Sequence, residues 1–141
     1  MTKLLLDANV IIRFLRADHE DHYRRSKCLF EQAELGEIRM VLLESVLAEV
    51  VFVLDSVYSV PKDRIAEALH PLFFHTGIDC HDSSVLSDAL QRWCRKNVDF
   101  MDALLAAHAN SKDIPVVSFD KDFRKFPDIR HVVPGTVSFK K

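Results

Sequence analysis

Four carboxylates sit where solvation alone does not account for them. Asp7 ends the apolar run Leu4–Leu6, Glu49 lies inside Val46–Leu54, Asp102 begins the segment Ala103–Ala107, and Asp120 follows Pro115–Phe119. Carboxylates brought to one point repel unless a cation holds them. A divalent metal ion, held by such oxygen donors, is the obvious candidate. The pattern therefore points to a metal-dependent hydrolase.

Each acid also has a plainer reading. Asp7 after a strand can cap the next helix. Asn9 can cap as well, or orient a carboxylate or a metal-bound water. Glu49 is predicted to be buried, because its neighbours are apolar nearly all round, and it must then be paired, protonated or bound to metal. Arg13 is the alternative partner, in a salt bridge. Asp99 and Asp102 are three residues apart, so Asp99 reads as a cap. Leu105, Ala106 and Ala109 place Asp102 on the packed side of the same helix. In Ser118–Phe123, one of Asp120 and Asp122 is expected to cap the following turn while the other binds. Which one binds stays open.

Other catalytic classes lack their signatures. None of the seven histidines stands in HExxH spacing, and no GxSxG elbow occurs. Three glycines are too few and too scattered to write a phosphate-cradling loop. Cys28, Cys80 and Cys94 form no CxxC and read as incidental thiols; Cys80 with His75 and His81 lacks the second cluster of a zinc site.

The elements that must position the acids alternate between strand and helix. Thr2–Leu6 reads as a strand buried on both faces, followed by a helix over Asn9–Arg16. Asp18 is expected to cap a helix ending near Leu35, with Gly36 just past its end. Ile38–Leu42 is a strand, Leu43–Tyr58 an apolar helix, and a helix from Pro61 or Lys62 to His75 should kink or break at Pro71. Gly77–Cys80 is a strand, Ser83–Lys96 and Asp99–Ser111 are helices, and Val116–Phe119 and Arg130–Val133 are strands. The alternation predicts an α/β fold, with helices on both faces of a short parallel sheet. Sites in such sheets lie at the carboxyl ends of the strands, where Asp7 and Asp120 stand.

At 141 residues the chain reads as a single domain, 1–141, able to bury about two-thirds of its unfolded surface. It has no run long enough to span a membrane and no signal-peptide pattern, so a cytoplasmic protein is expected. The net charge of −2 excludes a polycation, yet Arg13, Arg16, Arg24, Arg25 and Lys27 gather early and Lys121, Arg124, Lys125 and Arg130 late. Such clusters can hold phosphates. Phe52, Val53, Val57 and Tyr58 leave more apolar surface on one helix than a single sheet face covers, which predicts a homodimer.

The order of the segments LLLDANVII, SVLAEVVFVL, VDFMDALLAAHA and VVSFDKDF resembles the PIN-domain ribonucleases, and within them the VapC-type toxins of toxin–antitoxin systems. The resemblance implies a three-layer α/β/α fold with a parallel sheet of four to five strands. It implies an Mg²⁺- or Mn²⁺-dependent endoribonuclease acting on RNA and restrained by an antitoxin protein. Asp7, Glu49, Asp102 and Asp120 fall on the family's acidic site, with Asp7, Asp102 and Asp120 as metal ligands. Asn9, Ser118, Asp99 and Asp122 support it, and Arg13, Lys121 and Arg124 are candidate RNA contacts. A housekeeping PIN nuclease of RNA processing is the nearest alternative. A haloacid-dehalogenase-like phosphohydrolase is more distant, since it needs a second Asp where Asn9 stands.

Overall fold

Eleven elements follow the predicted order in the computed structural model, which describes residues 2–135. They are β1 (Thr2–Leu5), α1 (Ala8–Arg16), α2 (Glu20–Glu34), β2 (Ile38–Leu42), α3 (Glu44–Phe52), α4 (Lys62–Leu69), β3 (Ile78–Cys80), α5 (Ser83–Arg95), α6 (Phe100–Lys112), β4 (Val116–Val117) and β5 (His131–Val132). All strand pairs are parallel, as the alternation with helices requires. The strands pair as a three-stranded sheet, β1-β2-β3, and a two-stranded ladder, β4-β5. A boundary between Ser83 and Ser84 divides the chain into two compact units. No described helix is long and apolar enough to cross a membrane.

In the first unit, α1 buries Ala8, Ile11 and Ile12, and α2 buries Ser26, Phe30 and Ala33, each along one helical stripe. Central strand β2 buries Met40 and Leu42. Helix α2 ends at Gly36, whose φ of +80° suits glycine. There the amides of Gly36 and Glu37 close back on the carbonyls of Ala33 and Gln32. Arg39 on β2 and Asp79 on β3 form a forked ion pair across the sheet, with Arg39 Nε 3.0 Å from Asp79 Oδ1. The pair holds the Asp79 carboxyl below its usual range, first through the hydrogen bond from Arg39 and then through its charge.

Three local expectations are corrected, and the break at Pro71 is found as expected. Strand β1 is an end strand of its sheet, and Thr2–Leu5 are all exposed rather than buried on both faces. Helix α2 is capped by His19, whose Nδ1 accepts the His22 amide at 3.1 Å, because Asp18 turns to Arg13 instead. The apolar helix stops being α-helical at Phe52 and continues as a π-helical turn, Val53–Val57, closed by the Tyr58 amide on the Val53 carbonyl. Helix α4 gives way to a 3₁₀ segment, His70–Phe74, where Pro71 has no amide to continue the α-helical ladder.

The second unit packs α5 through Val85, Leu86, Ala89, Leu90 and Trp93. Helix α6 buries Phe100, Ala103, Leu104, Ala106, Ala107 and Ala109. Strand β4 leads into Ser118 and a 3₁₀ turn, Lys121–Lys125, which carries the last of the acids.

Candidate metal centre

Two chain segments of the second unit bring three carboxylates together. Asp99 starts α6 in extended backbone, and its carbonyl accepts the Ala103 amide at 3.1 Å, while its carboxylate makes no capping bond. Asp102 follows in the first turn, half-buried, where the helix dipole favours an anion. After β4, Ser118 Oγ accepts the Asp120 amide at 3.0 Å, and Asp120 Oδ1 accepts the Asp122 amide at 2.8 Å. One oxygen of Asp120 therefore caps the turn, which leaves the other for a ligand. Asp122 Oδ1 lies 3.0 Å from Lys125 Nζ.

Carboxylate oxygens of Asp102, Asp120 and Asp122 all lie within 4.8 Å of one another. Two oxygens bound to one Mg²⁺ can be at most roughly 4.2 Å apart, twice the usual bond length. Small side-chain rotations close the remaining gap, so these residues fit a hard divalent cation. The electrostatics agree. Burial pushes the Asp102 carboxyl above its usual range, and the charges of Asp120, Asp99 and Asp122 and a hydrogen bond with Asp120 push it further. A proton or a cation must relieve that crowding. Among the described residues, this is the one group of three such ligands.

The remaining sequence-derived residues lie in the first unit. Asp7 precedes α1 in extended backbone and is exposed, and its carboxylate makes no capping bond. Asn9 and Arg13 line a cleft of about 370 Å³ with His22, Arg25 and Ser26 of α2. Glu49 is exposed, which overturns the expected burial. Helix α3 buries Leu47, Val50 and Val51, and Glu49 points off that stripe, so no burial cost forces a partner on it. Arg13 pairs with Asp18 at 3.4 Å rather than with Glu49. Lys121 and Arg124 are exposed on the 3₁₀ turn.

Lys125 escaped the sequence reading as a site residue. It donates to the Asn97 carbonyl at 2.7 Å as well as pairing with Asp122. Its three-residue spacing from Asp122 was the available signal, useful only once a 3₁₀ turn is known to lie there. The three cysteines are free, in keeping with incidental thiols.

A family model described as PIN domain matches residues 4–129. No curated protein matches the chain. Among solved structures, the chain is similar to one described as VapBC2 from Rickettsia felis bound to a DNA fragment from their promoter. The identity is 16% and the TM-score 0.36, over 94% of this chain and 98% of that chain. A likeness that loose carries no functional weight.

Proposed function

The chain belongs to the PIN-domain family, whose members are generally nucleases, and from that premise we propose a divalent-metal-dependent endoribonuclease. The observation that carries the reading is the Asp102–Asp120–Asp122 cluster, which fits Mg²⁺ or Mn²⁺. A cation held there would offset the charge of a phosphodiester and acidify a water for attack on phosphorus. The protein's own contribution is positional. Ser118 and the turn amides fix Asp120 and Asp122, and Lys125 steadies Asp122. Asp102 keeps its proton to a higher pH than an ordinary aspartate and would give it up to hold a cation. Asp7 and Glu49 are assigned to the same centre on the family's motif order, with Asn9 and Asp99 in support.

RNA is the proposed substrate, with Arg13, Lys121 and Arg124 as weak contacts. The direct test offers purified protein with Mn²⁺ a single-stranded RNA and a phosphate monoester. RNA cleavage abolished by EDTA is expected. Turnover of the monoester alone overturns the reading in favour of a phosphohydrolase.

On the motif resemblance, the nuclease is assigned as the toxin of a toxin–antitoxin pair. Its antitoxin would use the apolar cleft of about 460 Å³ lined by Phe14, Tyr23, Phe30, Ala68 and Leu72. Expression of the chain alone should arrest growth, and co-expression of an adjoining small protein should relieve it. Unaltered growth and cellular RNA leave only a housekeeping nuclease. A homodimer is part of the same proposal, supported by Phe52 and Val57, which are 64% and 67% exposed at the end of α3 and in its π-helical turn. Sedimentation at micromolar concentration should give twice the chain mass, and Phe52→Glu should give the monomer. A wild-type monomer rejects the dimer.

A further inference from the structure

A cleft of about 230 Å³ opens in the second unit between the last turns of α5 and the segment after Lys125. Four cationic side chains, Arg92, Arg95, Lys96 and Lys125, line it against two acids, Asp88 and Asp128. Arg92 is part of the wall. Its Nε is 2.9 Å from Asp88, its guanidinium also binds Asp128, and it stacks on Phe126 at 5.5 Å. Those pairings engage both acids, and the trio keeps one net negative charge against Arg95, Lys96 and Lys125. Arg95 and Lys96 are exposed, and neither pairs with a carboxylate among the described residues. Lys125 borders both the cleft and the carboxylate cluster, through its 3.0 Å contact with Asp122. The excess positive charge thus begins where the acidic centre ends.

We propose that this cleft is a phosphate-binding subsite. It would take the RNA backbone next to the phosphodiester at the acidic centre, with Arg95 and Lys96 as its principal contacts and Lys125 between the two. The assignment rests on the nuclease reading. A row of carboxylates repels a polyanion, and a flanking cationic cleft holds the strand in place without contributing to the chemistry. The subsite reads phosphates and not bases, so it adds affinity without sequence preference.

The test is the double variant Arg95→Ala/Lys96→Ala, two exposed changes that leave the core intact. Binding of a single-stranded RNA of about ten nucleotides is measured in EDTA, where no cleavage occurs, across a salt series. Loss of two phosphate contacts should lower the slope of log affinity against log salt by about 1.4 and weaken binding roughly tenfold. Cleavage of a dinucleotide, which has one phosphodiester and cannot reach the cleft, should be unchanged with Mn²⁺. Unaltered binding and slope in a variant of a protein that does cleave RNA overturn the subsite and leave the nuclease standing. Dinucleotide cleavage that falls in parallel with binding also overturns it, because the residues then act on the centre or the fold. A wild-type protein that neither binds nor cleaves RNA removes both proposals.

Discussion

Asp102 combines partial burial with three like-charged neighbours, and both push its carboxyl upward. The folded value therefore lies above the unfolded one of about 3.9. Between the two values the folded state binds more protons than the unfolded state, so stability falls as pH rises through that window. The penalty is absent below about pH 3.9 and fully present above the folded value. Asp102→Asn should accordingly raise the metal-free Tm at pH 7 by on the order of 2 °C, with no gain in strong acid. Wild type in Mn²⁺ at 100 times Kd should gain about 2.7 kcal/mol, several degrees in Tm, and the variant far less. Thermal scans with and without Mn²⁺ check both, and a variant that keeps the full Mn²⁺ shift removes Asp102 from the centre. At this scale Asp102 and Asp120, two members of the cluster, were legible because one opens and the other follows an apolar run. The environment of Glu49 was not. Apolar neighbours in sequence surround a helix on paper, while the helix buries one stripe, and Glu49 lies off it. Asp120 caps the turn with one of its two oxygens, and Asp122 lies in the same cluster, so both stay candidates for the metal.

Elements were legible wherever period and punctuation agreed. β2 spans the expected Ile38–Leu42, and Gly36 ends α2 at the expected place. What escaped were features set by distant packing. β1 reads as a doubly buried strand from its leucines, yet burial depends on what lies beside it, and its residues are exposed. Gly77 illustrates the same limit. In sequence it reads as the first residue of the strand, but a Cβ there would lie 2.3 Å from the Ala33 carbonyl oxygen, at the end of α2. The start of β3 is thus pressed against helix backbone, and its neighbour Met40 donates its amide to the Gly77 carbonyl at 2.9 Å. Backbone cannot swing aside as a side chain can, so Gly77→Ala should cost about 1–3 kcal/mol. Chemical denaturation should show a lower midpoint with an unchanged slope. A variant as stable as wild type would mean that α2 and β3 separate freely at this point.

At the scale of the whole chain, the family match over residues 4–129 spans both compact units, and the acids are divided between them. Asp102, Asp120 and Asp122 form a cluster within the second unit, whereas Asp7 and Glu49 belong to the first. Motif order set the acids on four separated segments of what reads as a single domain, but order along a chain carries no distances. The proposed function therefore makes a demand on the first unit that the second could not meet alone. If all the acids serve one centre, Asp7→Asn and Glu49→Gln should each reduce RNA cleavage at least about 100-fold, as removal of a group that stabilises the transition state does. Each should also shrink the Mn²⁺-induced rise in Tm, while circular dichroism stays native because both side chains are exposed. Measuring cleavage, Tm shift and spectrum on the same preparations separates a lost ligand from a lost fold. Should both variants cleave and bind Mn²⁺ like wild type while Asp102→Asn does neither, the centre belongs to the second unit alone and the shared-centre assignment is wrong.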